Sequence, residues 1–234
     1  MLRSIRYGEA DRILHLYTAG RGRVNAIAKG SRRPKSRFGG RLEPFFRLDL
    51  MLHEGRSDLC TVTGASTIDG FPHLRSDGPA LDSAARACDA VLRLLDSTDP
   101  NRPAYNLLCR YLALLDQGAT SDGEDALGSR ALGLAFRLKL ALAAGFSPEL
   151  ASCARCGERE GIVAFSGSSG GVVCASCEGG GFRLSRDAHE FMVAALGKPI
   201  AELPSASESS LRQVERAIGD TLSHHAHVNL RSVA

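Results

Sequence analysis

The chain of 234 residues has no tryptophan, and its other aromatics are only nine Phe and four Tyr. Its core must therefore be built from Leu, Ala, Val and Ile, and it has little material for an extended stacking surface. No apolar run reaches the roughly 18 residues that a membrane-spanning helix needs. The opening stretch "MLRSIRYGEADR" lacks both an apolar central segment and a small-residue cleavage motif. A secretory leader is therefore not expected, and a cytoplasmic chain is. Sequence signatures for a phosphate-binding loop, a His-Glu-x-x-His zinc protease and a Gly-x-Ser-x-Gly nucleophile elbow are all missing. Glu9 and Asp11 form a close carboxylate pair, but no His set accompanies them and they read as a solvated turn. No enzymatic activity is expected.

What the chain does have is charge of one sign in one place. Residues 1–50 carry twelve Lys and Arg against Glu9, Asp11, Glu43 and Asp49, a balance of +8, so the remainder of this +3 chain sums to −5. Six of these cations lie in "KGSRRPKSRFGGR": Lys29, Arg32, Arg33, Lys35, Arg37 and Arg41. A basic front on a mildly acidic chain predicts an anionic partner.

Periodicity divides the chain into a β part and an α part. In "FRLDLMLH", Phe46, Leu48, Leu50 and Leu52 alternate with Arg47, Asp49, Met51 and His53, a strand with one wet face. "RILHLYT" and "RVNAIAK" are further strands joined by "AGRG", and the turn "HEGRSD" leads to "LCTVTGA". Short strands with Gly turns predict a small antiparallel barrel over residues 1–75. Helices follow over 76–234. Pro79 opens one whose apolar stripe is Leu81, Ala84, Ala85, Cys88, Val91, Leu92 and Leu95, and Pro103 opens the next, with Leu107, Leu108, Tyr111, Leu114 and Leu115 facing inward. "TSDGED" reads as a loop, a longer helix ends near Gly145, and Ser185 and Ser207 cap the last two helices. The fold class is α+β.

The helical part carries an insert at 153–177. Cys153-Ala-Arg-Cys156 and Cys174-Ala-Ser-Cys177 have the spacing of a four-thiolate zinc ribbon, in which a full sulfur shell leaves no open position for catalysis. A redox dithiol pair is the competing reading, but redox Cys-x-x-Cys opens a helix in a βαβ unit, and no such unit is visible. Cys60, Cys88 and Cys109 read as small buried hydrophobes. The His-rich "SHHAHV" near the end, with His224, His225 and His227, reads as the end of a terminal helix.

"YGEADRILHLYTAGRGRVNAIAKGSRRPKSRFGGRLEPFFRLDLML" resembles the N-terminal domain of the RecO family of bacterial recombination mediators. "FRLKLALAAGFSPELASCARCG" is similar to the family's helix that runs into its first zinc knuckle. Two features depart from the family pattern: only "MLRSIR" precedes the Tyr-Gly-Glu, and the basic C-terminal tail is reduced to Arg231. The resemblance implies an oligonucleotide-binding (OB) barrel, a helical domain and one structural Zn2+ on Cys153, Cys156, Cys174 and Cys177. It implies a DNA-binding recombination mediator in DNA repair that binds single- and double-stranded DNA and anneals complementary strands. Such a protein helps load recombinase onto DNA coated with single-strand-binding protein, with RecR and RecF as partners and the bacterial nucleoid as its place of work. It also implies capture of the acidic, Phe-ended tail of single-strand-binding protein, for which Arg130 and Arg137 with Leu134 and Leu138 are the candidates. The alternative is a zinc-ribbon nucleic-acid-binding factor that contacts the transcription machinery.

Overall fold

The computed structural model describes residues 1–55, 59–118 and 126–233. Two compact units divide it, Met1–Ser121 and Asp122–Ala234. The expected loop at 120–125 and the end of the "HEGRSD" turn lie outside the described residues.

The first unit begins with five strands: β1 (Arg3–Tyr7), β2 (Asp11–Thr18), β3 (Gly22–Ala28), β4 (Arg47–His53) and β5 (Cys60–Asp69). Their order in the sheet is β1-β2-β3-β5-β4, antiparallel throughout except for the parallel β3–β5 pair. This is the strand order of an OB fold. The backbone before β1 also meets the backbone before β4: Phe45 N donates to Met1 O at 2.9 Å, and Met1 N donates to Phe46 O at 2.7 Å. The inner face is aliphatic, with Leu14, Leu16, Val24, Ala26, Ala28 and Val62 buried together. In β4 the wet positions Arg47, Asp49, Met51 and His53 are all exposed, while Leu48, Leu50 and Leu52 pack inward, as strict alternation requires.

Three helices complete this unit: α1 (Pro72–Ser76), α2 (Gly78–Leu94) and α3 (Arg102–Gly118). Asp77 caps α2 by accepting from Ala80 N at 2.7 Å, and Asn101 serves α3 by accepting from Ala104 N at 3.0 Å. The buried stripe of α2 is Ala80, Ala84, Ala87, Cys88, Ala90, Val91 and Leu94, which shares Ala84, Cys88 and Val91 with the stripe expected from sequence but is turned away from Leu81 and Ala85. Leu81 is 39% exposed and Ala85 is exposed as well. An alanine-rich helix can be rotated by one position at little change in apolar area, so neighbouring elements decide the face.

The second unit holds α4 (Ala126–Ala143), a three-stranded sheet of β6 (Ile162–Ser166), β7 (Gly171–Cys174) and β8 (Phe182–Arg183), then α5 (Arg186–Gly197) and α6 (Glu208–His225). Helices α4, α5 and α6 pack on one another, and α6 also packs against β6. Ser185 and Ser207 cap α5 and α6 as expected, accepting from Ala188 N and Ser210 N. No described helix is long and apolar enough to cross a membrane.

One glycine fixes the β2–β3 hairpin against the rest of the first unit. Gly22 has φ of 53°, and a Cβ there would press on the carbonyl oxygens of Asp99 and Ser97. Arg23 N donates to that same Ser97 carbonyl at 3.1 Å. Gly22→Ala is expected to cost about 1–3 kcal/mol, from the left-handed backbone and the displaced loop. Gly20→Ala, which meets nothing, should stay within about 0.5 kcal/mol. Urea denaturation of the two variants checks the difference.

Candidate metal centre and nucleic-acid interface

The second unit brings four sulfurs together. One ligand atom from each of Cys153, Cys156, Cys174 and Cys177 lies within 4.8 Å of the others. The Cys156 and Cys174 sulfurs are 3.7 Å apart. A tetrahedron of sulfurs each about 2.3 Å from a zinc ion has edges of about 3.8 Å, so the four thiols already have the size of a metal shell. The first knuckle turns because Gly157, with φ of 80°, brings its N–H back to the Cys153 carbonyl at 2.8 Å. The second knuckle is a single 3-10 turn, Ala175–Cys177, at the end of β7.

The thiols also answer electrostatically. Burial pushes the Cys153 thiol up, but amide donors from Cys174, Cys156 and Arg155 outweigh it and hold the group at about 6. The neighbouring Cys156 sulfur, together with burial, pushes Cys177 up to about 12. Four thiolates in so small a space repel one another, and a divalent cation is what allows them to coexist. The cluster can hold one metal ion, and an all-sulfur set of this size is consistent with zinc.

The ribbon is tied into the helical unit and does not project from it. Gly171 lies so close to Glu149 that any Cβ would strike that residue's backbone. Glu149 N donates to Gly170 O at 2.8 Å, and Val172 N donates to Glu149 O at 2.9 Å. His225 Nε2 lies 2.8 Å from the Gly167 carbonyl, so the sequence's His cluster contributes a tether between α6 and the β6–β7 turn. The Arg216 guanidinium sits 4.2 Å above the Phe182 ring. Among the other cysteines, burial pushes the Cys88 thiol up to about 12, the state of an inert core side chain.

In the first unit, all six cations of the 29–41 segment are exposed. Among the described residues none of them forms an ion pair with an acid, whereas Arg12, Arg21 and Arg47 pair with Glu43, Glu54 and Asp69. The segment is folded. Phe38 and Leu42 are each 2% exposed and plug into the barrel core. Gly30 N donates to Asp11 Oδ1 at 2.8 Å, and Arg32 N donates to Ala10 O at 2.9 Å. At the other stem, Arg12 donates to Leu42 O at 2.9 Å and to Glu43 at 3.0 Å. Arg37 donates to Val62 O at 3.0 Å and lies over Phe38, and Arg41 turns back to the carbonyls of Arg37 and Phe38. Asp11, Arg12 and Glu43 are therefore the positioning residues of this loop. Nothing in the sequence marked Arg12, since its partners lie some thirty residues away.

The four residues singled out on α4 are placed otherwise than an open pocket requires. Leu134 and Leu138 are buried in the core of the second unit. Arg130 is held by Glu208 and by Glu215, the latter at 2.6 Å. Arg137 is only 5% exposed and donates to the Arg231 carbonyl, with Glu215 3.9 Å away. The two arginines join through Glu215 in a network that also fixes the C-terminal segment, where Val233 N donates to Glu215 at 2.6 Å.

Metal analysis of the purified protein should find one zinc per chain. Cys153→Ser should abolish retention of the ion and lower the melting temperature by about 5–10 °C. Cys60→Ser should leave the metal content unchanged. Protons compete with the ion for sulfur, so a chelator should strip it more readily as pH falls. The steepest loss is expected below about 6, where Cys153 also takes up its proton.

Comparison with known proteins agrees with this architecture. Residues 1–71 match the family model "Recombination protein O N terminal", and residues 75–234 match "Recombination protein O C terminal". The two matches meet earlier in the chain than the boundary between the compact units. A protein of Rubrobacter xylanophilus named DNA repair protein RecO is 39% identical over 230 residues, which covers 96% of this chain and 88% of that protein. Proteins of the same name from Anaeromyxobacter sp. strain K and Nocardioides sp. are 36% and 34% identical, covering 96% and 100% of this chain and 89% and 95% of theirs. An OB-type sheet, a helical unit with a four-cysteine ribbon and these full-length matches together establish that the chain belongs to the RecO family of DNA repair proteins.

Proposed function

We propose that this chain is a DNA-binding recombination mediator. In this reading it binds single- and double-stranded DNA, anneals complementary strands, and helps load recombinase onto DNA coated with single-strand-binding protein, with RecR and RecF as partners. The observation that carries it is the loop of six exposed cations, none of which pairs with an acid among the described residues, held in shape at the edge of an OB-type sheet. Lys29, Arg32, Arg33, Lys35, Arg37 and Arg41 would meet phosphates, giving binding that is largely independent of sequence. Annealing of complementary oligonucleotides coated with cognate single-strand-binding protein tests the mediator reading directly. Acceleration over the uncatalysed rate is expected, and its absence would remove annealing from the account.

The ribbon's role is structural in this reading, with one Zn2+ on Cys153, Cys156, Cys174 and Cys177. Its ties to Glu149 and to α6, through His225 and through Arg216 on Phe182, support that reading over a factor whose ribbon contacts transcription machinery, since a ribbon so fastened has less free surface to offer. Capture of the tail of single-strand-binding protein through Arg130 and Arg137 requires the tail carboxylates to replace Glu208 and Glu215. A fluorescent tail peptide titrated into wild type and into Arg130→Ala/Arg137→Ala measures this. Loss of one charge-assisted contact should weaken binding about tenfold or more, and equal affinities would place the tail elsewhere.

Salt titration measures the phosphate contacts. With about five of the six cations on phosphates, log K against log salt should have a slope near −3.5 on single strands. Replacing Arg32, Arg33, Lys35 and Arg37 together with Ala should flatten it by roughly 3. An unchanged slope would make the segment a solvated surface loop.

A further inference from the structure

We propose that Arg155 is a positioning residue of the metal centre: its guanidinium forks from the first knuckle to the second and holds Cys177 in the sulfur shell. This rests on the reading of the four cysteines as a zinc site. Arg155 lies inside the first knuckle, between Cys153 and Cys156. Its Nη1 donates to the Cys177 carbonyl at 3.0 Å, and its Nε donates to Ser169 Oγ at 2.9 Å. One side chain thus ties the first knuckle to the β6–β7 turn and to the second knuckle. The backbone N–H of Arg155 is also among the amide donors to the Cys153 sulfur, so the residue serves both knuckles.

The acceptor at Ser169 is itself fixed. Ser166 is buried, and its hydroxyl donates to Ser169 Oγ at 3.0 Å. His225 of α6 holds the neighbouring Gly167 carbonyl, so the fork ends on a turn anchored in the helical unit. Backbone bonds support the other ligands. Ala154 N donates to Val172 O at 2.8 Å, which seats the first knuckle on β7, and Ala175 N donates to Gly161 O at 3.1 Å, which holds the start of the second knuckle. Cys177 ends the 3-10 turn beyond that bond, and Gly179, Gly180 and Gly181 follow it. A run of glycines has the most backbone freedom of any sequence. Cys177 is therefore the ligand for which a side-chain tie matters most.

Charge acts in the same direction. Four thiolates around a dication leave about two negative charges to be met. Arg155 is exposed and, among the described residues, forms no ion pair with an acid. The hydroxyl and the carbonyl that it reaches are neutral, so its charge stays available to the sulfurs. Groups that orient metal ligands from outside the ligand set commonly govern how firmly the metal is held. A lysine could supply the charge, but its single nitrogen lacks the planar fork that meets two acceptors at once.

The test is the rate at which the zinc-loaded chain gives up its metal to an excess of the chromogenic chelator pyridylazoresorcinol. Brief N-ethylmaleimide labelling of the loaded chain, mapped by mass spectrometry, reports which sulfur is freed first. The proteins compared are wild type, Arg155→Gln, Arg155→Lys and Ser169→Ala, with circular dichroism to check folding. Arg155→Gln should release zinc about tenfold to a hundredfold faster than wild type, and Cys177 should gain label ahead of Cys153, Cys156 and Cys174. Arg155→Lys and Ser169→Ala each keep part of the arrangement and should fall between. Release from Arg155→Gln at the wild-type rate, or label gained equally at all four cysteines, would overturn the proposal and leave Arg155 a surface charge. Should Arg155→Gln fail to fold, Ser169→Ala decides, and wild-type release and labelling would overturn the fork. If wild type itself holds no zinc, the zinc-site reading fails instead, and the role of Arg155 with it.

Discussion

Mutual repulsion among the cations of residues 29–41 is the constraint around which the first unit is arranged. Two unit charges 10 Å apart in water repel by about 0.4 kcal/mol, and physiological salt leaves roughly a third of that. The total over the cluster is small enough for anchoring to win. Burying a side chain such as Phe38 or Leu42 supplies about 1.5–3 kcal/mol each, and both are in the barrel core. Polar ties then set the shape. Asp11 holds the start of the loop at Gly30, and Arg12 holds its end at Leu42 and Glu43. Two adjacent residues of β2 thus clamp both stems. The acids that do this are used on backbone amides and on Arg12, and among the described residues none pairs with a loop cation.

The second unit solves the opposite problem, how to bury charge. Arg137 lies almost wholly inside and needs acceptors there, because an unpaired buried guanidinium is costly. Glu215 stands at the centre of the answer, reaching Arg130, Arg137 and the backbone N–H of Val233. This network joins α4, α6 and the C-terminal segment, while the four-sulfur cluster and its ribbon are joined to α6 through His225 and Arg216. Loss of the metal would therefore reach the helices through α6 without changing a residue in the charge network.

Legibility in the sequence followed the range of the interactions involved. Strand β4 was readable because alternation is local, and the Ser185 and Ser207 caps because a cap is satisfied within three residues. The cysteine cluster was readable because each knuckle is a four-residue motif. The face of α2 was read only in part, at Ala84, Cys88 and Val91, since its many alanines leave the choice to neighbouring elements. Strand β8, only Phe182–Arg183, has no pattern of its own and exists because β6 offers it an edge. The arginines of α4 looked like an open anion site because Glu208 and Glu215 lie far along the chain. The pairing of Ile5 with Ile13 and of Ile13 with Ile27 was invisible for the same reason, since it appears only once the register of three strands is fixed.

Under the proposed reading, the cation loop bears on how a protein anneals strands. If phosphates are held by mobile counterion exchange on the loop, binding is strong at low salt but carries no sequence preference. If bases then meet few aromatics, each is held by weak, non-directional contact, and its Watson–Crick edge stays free. An aromatic stack at every position would hold a strand more tightly, at about 1–3 kcal/mol per base, and would slow its transfer to a complementary partner. Under the proposed reading, the scarcity of aromatics, with no Trp in the chain, would let a strand gathered by charge be released when base pairing offers a better partner.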